Sequence, residues 1–168
     1  MRDFVNTVDL EARRDELDTP AALRGWLAGR ELAPATARAG EAELRDALAL
    51  REALRVLLAA NNGGAPSVVD ASATLDRLAT GLALGVRLSD GEVRIEPRAD
   101  GVAGGLGQVL AAAASAMADG SWRRLKACRS DTCRWAFIDE ARNHSRQWCS
   151  MAVCGNRQKA RAYRSRRA

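Results

Sequence analysis

The chain has 168 residues and a mass of 18.0 kDa, enough for one ordinary domain and a small second unit. Apolar residues make up 47% and charged residues 28%, which is typical of a globular protein and excludes a disordered tail or a fibrous repeat. We see no run of roughly 20 uninterrupted apolar residues, as a membrane span requires, and the first residues turn polar too early for a secretory signal. We therefore expect a cytoplasmic protein with no membrane partner.

Charge is distributed unevenly along the chain. Residues 1–120 hold 13 Lys and Arg against 18 Asp and Glu, a net charge of −5. Residues 121–168 hold 13 Lys and Arg against 3 Asp and Glu, a net charge of +10. This segregation predicts an acidic body, residues 1–120, followed by a basic module that binds a polyanion. Nearly all the cations are arginines, which suit bidentate phosphate contacts, although a GC-rich genome would also enrich arginine.

The first part of the body contains one segment of ambiguous structure and one clearly predicted helix. Residues 4–9 fit either a short strand or the entry to a helix. Thr19 and Pro20 predict a helix start, because threonine caps a helix and proline suits its first position. Gly29 is expected to end that helix.

Residues 34–60 carry the strongest helical pattern, with leucines on one broad face. The opposite face is predicted to be charged and to form ion pairs along the helix. That charged face comprises Glu41, Glu43, Arg45, Asp46, Arg51, Glu52 and Arg55. The run Asn61-Asn62-Gly63-Gly64 is expected to end the helix.

The second part of the body contains both helical and extended patterns. Residues 67–82 predict a helix. Apolar residues then alternate with polar ones on both sides of Asp90-Gly91, which predicts a β-hairpin. Residues 106–119 return to a helical period. We expect a mostly helical body with a small antiparallel sheet, in which residues 4–9 pair with the hairpin.

Sequence motifs of common enzymes are missing. The sequence holds no Gly-x-Ser-x-Gly turn and no phosphate loop ending in Gly-Lys-Ser/Thr. The glycine-rich stretch 101–107 precedes a helix but lacks the lysine, so we interpret it as a flexible turn. His144, the single histidine, is interpreted as a surface loop residue. We therefore expect no enzymatic activity.

All the cysteines lie in the basic module, as two Cys-x4-Cys pairs separated by fifteen residues: Cys128, Cys133, Cys149 and Cys154. Two such pairs predict a structural Zn²⁺ site, since zinc takes four thiolates in a tetrahedron and no open position remains. So short a module cannot bury enough apolar surface alone, and metal binding would supply its folding free energy. The alternatives are two pairs of buried free cysteines or a redox dithiol, which usually has a Cys-x-x-Cys spacing.

The stretch from Trp148 to Lys159, with its Cys154-Gly155-Asn156-Arg157 run, resembles the CGNR zinc-finger family. Residues 4–9 and 19–27 are similar to ABATE, the domain that accompanies this finger in stress-induced transcription regulators. The resemblance implies an α+β protein in which an ABATE-like domain, residues 1–120, precedes a treble-clef-like zinc finger, residues 121–168. It also implies a basic C-terminal helix and DNA binding.

The basic C-terminal helix carries side chains suited to contacts with duplex DNA. Arg157, Arg161 and Arg164 follow at i, i+4 and i+7, which places them on one stripe. Asn156 and Arg157 suit base edges, because asparagine pairs with adenine and arginine with guanine. The expected nucleic-acid contacts are Asn156, Arg157, Lys159, Arg161, Arg164, Arg166 and Arg167.

We favour a DNA-binding regulator of the stress response, whose body encloses a small-molecule pocket or forms a homodimer interface. The alternatives are an RNA- or ribosome-associated zinc protein and a finger that binds another protein. Trp135, Phe137 and Trp148 bear on this choice, since exposed aromatic rings would stack on single-stranded bases. We expect these three side chains to form a small core around the metal instead.

Overall fold

The computed structural model describes residues 1–64 and 67–167, which form an α+β fold. The helices and strands in chain order are α1 (Arg2–Val5), β1 (Val8–Asp9), β2 (Arg14–Asp15), α2 (Pro20–Ala28), α3 (Glu41–Ala60), α4 (Val68–Gly81), β3 (Leu84–Ser89), β4 (Glu92–Pro97), α5 (Gly101–Ala118), β5 (Leu125–Ala127), β6 (Ala136–Ile138) and α6 (Asn156–Ser165). A 3₁₀ turn precedes β5 and a π-helical turn, Met151–Gly155, leads into α6. The strands form three antiparallel pairs, β1–β2, β3–β4 and β5–β6.

The start of the chain folds back on itself at once. Strand β1 pairs with β2, with Val8 opposite Asp15, so the predicted pairing of residues 4–9 with the later hairpin was wrong. The physical reason is local. The Asp9 carboxylate accepts hydrogen bonds from the backbone N–H groups of Glu11 and Ala12, which stabilises a tight turn directly after β1.

Helices α2 and α3 show how caps set helix ends. The Thr19 hydroxyl accepts a hydrogen bond from the Ala22 N–H at 3.1 Å, and α2 begins at the predicted proline. Helix α3 begins at Glu41, seven residues later than predicted. There the Gly40 N–H donates to the Glu43 carboxylate at 2.9 Å, so the helix start is fixed by this bond and not by the apolar period.

The β3–β4 hairpin is confirmed, including its turn. Ser89 pairs with Glu92, which leaves Asp90 and Gly91 as a two-residue loop. Both loop residues have positive φ, 53° and 77°, as a type I′ turn requires.

The glycine-rich stretch 101–107 forms the first two turns of α5, so its interpretation as a flexible turn was wrong. Its glycines allow close packing in the core. A Cβ on Gly105 would lie 2.9 Å from the Leu32 carbonyl oxygen, and one on Gly107 would lie 2.6 Å from Cβ of Pro97. Among the described residues, α5 is the one helix long and apolar enough to cross a membrane, and half of it is buried in the body.

Arg51 and Arg55, on the charged face of α3, form ion pairs with Glu52 as predicted, but both are buried in the protein. Arg51 donates to both carboxylate oxygens of Asp15, at 2.6 and 2.8 Å. Arg55 donates to the backbone carbonyls of Val5 and Arg134 and pairs with Glu52. Val5 ends α1 and Arg134 lies in the turn before β6, so the carbonyls of both residues need donors from outside a helix or strand. An arginine can serve both, because it supplies five donors in one side chain.

The basic module packs directly on α3. Ala127 of β5 and Ala136 of β6 belong to the same buried core as the leucines of the body. At the end of α3, the Asn61 side chain donates to the carbonyls of Trp122 and Leu125, and the Asn62 side chain to those of Ala127 and Gln147. The division of the chain at residue 121 stays a prediction, and buried contacts cross it.

Candidate zinc centre and basic helix

The four cysteine sulfurs converge at one point beside the β5–β6 hairpin. Cys128 and Cys133 lie in the connection between the two strands, Cys149 lies before the π-helical turn, and Cys154 lies within it. All four Sγ atoms are within 4.8 Å of one another. The Cys133–Cys149 and Cys149–Cys154 sulfur distances are 3.6 and 3.7 Å.

These distances fit a metal site. A tetrahedron with metal–sulfur bonds of about 2.3 Å has sulfur–sulfur edges of about 3.8 Å, whereas a disulfide bond is about 2.05 Å. The four thiols are free, so each can serve as a ligand. The arrangement gives a metal ion four sulfur donors, which is the donor set of a closed structural site.

Backbone hydrogen bonds hold the first cysteine pair in a tight knuckle. The Cys128 N–H donates to the Trp135 carbonyl and the Cys133 N–H to the Ser130 carbonyl, both at 2.9 Å. Arg134 adopts a positive φ of 52° to complete the turn. In the second pair, the Ser150 hydroxyl accepts from the Val153 N–H and caps the helical turn that carries Cys154.

The cysteine cluster favours a cation electrostatically. A hydrogen bond from the Cys133 thiol lowers the pKa of Cys128 to about 5, so one thiolate forms readily. That hydrogen bond raises the pKa of Cys133, while burial raises the pKa of Cys149 to about 12. Further thiolates would lie beside the first, and a bound cation offsets this repulsion.

A buried ion pair, Lys126 with Asp139, positions the loop between the cysteine pairs. The Lys126 ammonium donates to the Asp139 carboxylate at 2.7 Å and to the carbonyls of His144 and Arg146 at 2.6 and 3.3 Å. Burial of Asp139 opposes its ionisation, but hydrogen bonds from Lys126 and two backbone N–H groups outweigh this and lower its pKa. This pair was not predicted from the sequence. The one available signal was a lysine in an arginine-rich chain, at a site that needs a compact ammonium with three donors.

The aromatic side chains divide between core and surface. Phe137 is buried against Cys128 and Cys154, and Trp148 packs partly buried on the same cluster, as predicted. Trp135 is 36% exposed and lines a groove of about 540 Å³ between the start of the chain and the basic module, so its predicted place in the metal core was wrong. Trp135 precedes β6, and the alternation of that strand therefore does not direct its side chain inward.

The predicted nucleic-acid residues lie together on α6 and immediately after it. Every residue of α6 is exposed, and Arg157, Arg161 and Arg164 form the expected stripe. The helix starts directly after the π-helical turn that holds Cys154, so the cysteine cluster anchors one end. Arg167 stacks on the Tyr163 ring at 4.5 Å beyond the last turn. His144 is exposed in the loop before the second cysteine pair, as predicted.

Arg157 contacts the body. Its guanidinium pairs with both carboxylate oxygens of Glu11, at 2.7 and 2.8 Å, and the hydrogen bond lowers the pKa of Glu11. Both side chains are exposed. This contact was not predictable from the sequence, because residues 11 and 157 are distant in the chain and share no pattern. A nucleic acid that uses Arg157 must therefore compete with Glu11.

Comparison with known proteins gives the family. The ABATE model, described as "Putative stress-induced transcription regulator", matches residues 2–120, and the CGNR zinc-finger model matches residues 124–167. The chain thus carries a CGNR zinc finger behind an ABATE domain. Because the ABATE match covers most of its length, the chain belongs to the ABATE family. No curated protein matches the chain.

Proposed function

We propose that this protein is a DNA-binding regulator in which Zn²⁺, held by Cys128, Cys133, Cys149 and Cys154, fixes α6 for contact with duplex DNA. One observation carries the proposal: α6 is exposed along its whole length, bears a continuous arginine stripe and is anchored at one end by the cysteine cluster. Like charge would turn the acidic body away from the DNA.

The arginine stripe has the dimensions of a phosphate-binding surface. From Arg157 to Arg164 the helix rises about 10 Å, and duplex DNA carries one charge per about 1.7 Å of its axis. Arg161 and Arg164 lie furthest from the metal anchor, and we assign them to phosphate contacts. Asn156 and Arg157 lie where the anchor holds the helix most firmly, and we assign them to base edges. Lys159, Arg166 and Arg167 add charge around the stripe.

The metal has a structural role in this proposal. Zinc bound by four thiolates crosslinks the hairpin to the start of α6 and leaves no position for substrate, so we propose no enzymatic activity. The body would then act as the sensing or dimerising part of a cytoplasmic stress regulator. The groove beside Trp135 has a volume within the range of small-molecule sites and is the place we propose for a ligand.

The test is binding to labelled duplex DNA, single-stranded DNA and RNA, measured by fluorescence anisotropy over a salt series. We expect the duplex to bind most tightly, with affinity falling as salt rises. The quantity compared is the slope of the logarithm of the binding constant against the logarithm of the salt concentration. Arg161→Ala and Arg164→Ala should each reduce the size of this slope by about one unit. Arg24→Ala, which removes an exposed arginine from the body, is the matched control and should leave the slope unchanged.

The alternatives give different outcomes in the same measurement. Tighter binding to RNA than to the duplex would favour an RNA- or ribosome-associated protein. No binding to any nucleic acid would favour a finger that contacts another protein. For Arg157→Ala, binding and thermal stability should be measured together, since lost stability with unchanged sequence selectivity would make Arg157 a scaffold residue and contradict base readout.

A further inference from the structure

The β3–β4 hairpin has one apolar and one polar face. The register places Val86 opposite Ile95 and Leu88 opposite Val93, so these four side chains share a face. The opposite face carries Arg87, Ser89, Glu92, Arg94 and Glu96. Two ion pairs, Arg87 with Glu96 and Arg94 with Glu92, satisfy the charges of that polar face within the hairpin.

The apolar face is turned to solvent. Leu88 is 76% exposed, Val93 69% and Val86 59%. Together these side chains form a patch on the order of 300 Å², comparable to the largest patches on monomeric proteins, which are often functional. A two-stranded hairpin is also marginal in stability on its own, so a cover over this face would stabilise it.

A groove continues the apolar patch onto α5. It has a volume of about 560 Å³ and lies between β4 and the exposed side of the helix. The strand contributes Ile95, Glu96 and Pro97 to its lining, and the helix contributes Ala111 and Ala112 together with the polar residues Gln108 and Ser115. Asp100, just before the helix, also lines the groove, so its surface is mixed in polarity.

We propose that this surface, the hairpin face with its adjoining groove, binds a second copy of this chain. The polar face of the hairpin carries two arginines and two glutamates, so its neutral charge gives no attraction for nucleic acid or an anionic membrane. A two-fold pairing requires a surface that complements itself, and the apolar hairpin face meets this requirement, because Leu88 and Val93 of one copy can pack against the same side chains of the other. The groove, with its polar residues, would then form part of the rim of the interface.

The size of the surface agrees with such a pairing. A standard interface covers about 800 Å² on each partner, which exceeds the hairpin patch alone and therefore needs the adjoining α5 groove. The two surfaces are continuous through Ile95, which belongs to both. The dimer does not depend on DNA binding. If the proposed function holds, each dimer presents two basic helices, as a two-fold symmetric DNA site requires.

The test is the mass of the full, metal-loaded chain by sedimentation equilibrium and light scattering between about 1 and 200 µM, a range that spans typical protein–protein affinities. We expect a mass twice the 18.0 kDa of one chain at the upper end. Leu88→Asp and Val93→Asp should each raise the dimer Kd by about 30-fold or more, since a charge would be buried at the centre of the interface. Ser89→Asp adds the same charge to the polar face and should leave the Kd unchanged.

Each variant is first checked by circular dichroism, which should show wild-type helix content because the replaced side chains are exposed. Hydrogen exchange of the wild-type chain gives an independent readout: amides of β3 and β4 should become more protected as concentration rises. A wild-type mass of 18.0 kDa at every concentration would overturn the proposal. An equal rise in the dimer Kd for Ser89→Asp and Leu88→Asp would also overturn it. So would hydrogen exchange of the β3 and β4 amides that does not change with protein concentration.

Discussion

Helices α3 and α6 carry arginines at the same spacing, Arg51 with Arg55 and Arg157 with Arg161, yet the two pairs have opposite surroundings. On α3 both guanidinium groups are buried and bound to a carboxylate or to backbone carbonyls. On α6 both side chains are exposed, and of the two only Arg157 has a described ion-pair partner, Glu11. An i, i+4 arginine pair therefore does not define a role by itself.

The neighbours of each pair explain the difference. Helix α3 carries Leu50, Leu54 and Leu58 beside its arginines, and burial of these leucines takes the arginine stems inward with them. Helix α6 has no buried residue and contacts the rest of the protein through its first turn. We conclude that arginine supports the fold where leucines accompany it and remains available for a partner where they do not.

Loss of one metal ligand should show the largest difference in behaviour between α3 and α6. Cys149→Ser should abolish binding of one metal ion per chain and release α6, because zinc supplies roughly 10 kcal/mol or more of apparent binding free energy to such a module. Helix α3, held by its leucines, should keep its helical structure. The body should still lose part of its stability, since Ala127 and Ala136 contribute to its core.

Metal analysis, circular dichroism and hydrogen exchange would measure these effects. Val153→Ser introduces the same side chain in the same segment without removing a thiol and should retain the metal. A finger that stays folded in chelator would contradict the role of the cysteines. Unfolding of the entire chain would show that α3 also depends on the metal.

Removal of a buried arginine should have the next largest effect. Arg55→Ala leaves the carbonyls of Val5 and Arg134 without a donor, and we expect a loss of about 3 kcal/mol in the free energy of unfolding. Arg161→Ala on α6 should change it by less than about 0.5 kcal/mol. Urea denaturation would compare both with Arg45→Ala on the exposed side of α3. Equal losses for Arg55→Ala and Arg161→Ala would break the contrast between the helices.

The Arg51–Asp15 pair should make stability depend on pH in the acid range. Burial of Asp15 opposes its ionisation, but hydrogen bonds from Arg51 and the Leu17 N–H outweigh this and hold the pKa of Asp15 below its ordinary value. The carboxylate therefore favours the folded state. Its contribution is complete above about pH 4 and is lost as the pH falls through the folded-state pKa. Asp15→Asn should weaken this decline, measured by urea denaturation between pH 3 and 7; an unchanged profile would contradict it.

The smallest effect concerns the contact between Arg157 and Glu11. Glu11→Gln should free Arg157 and increase DNA affinity about twofold to fivefold, since exposed ion pairs are weak. Anisotropy at low salt would detect the change, and the gain should shrink as salt is raised. Glu41→Gln removes an exposed carboxylate elsewhere on the body and should have less effect. Reduced affinity in Glu11→Gln would mean that the ion pair holds α6 in its binding position.

Local signals predicted local structure well. Asp90-Gly91 defined its hairpin, because few dipeptides accept two positive φ angles. Thr19-Pro20 defined the start of α2, since cap chemistry lies within four residues. The cysteine spacing likewise brought four sulfurs together, because each pair needs only a tight turn.

Contacts between distant segments were not predictable from the pattern. The burial of Arg51 and Arg55 depends on carbonyls and carboxylates near the start of the chain, which no periodicity on α3 reveals. Helix α5 begins in glycines because Leu32 and Pro97 crowd it, and the identity of those neighbours is a property of the fold. The Lys126–Asp139 pair is similarly a consequence of the β5–β6 hairpin bringing its two ends together.

Asn6 bears on whether the finger could be transplanted into another protein. Its side-chain amide donates to the Ala136 carbonyl at 2.9 Å and accepts from the Ala136 N–H at 2.7 Å, as a neighbouring strand would. A recipient protein that received residues 121–167 alone would have to supply a substitute for this amide, and for the donors of Asn61 and Asn62. The finger is contiguous in sequence, but three asparagines outside it complete its hydrogen bonding, so it is not a portable unit.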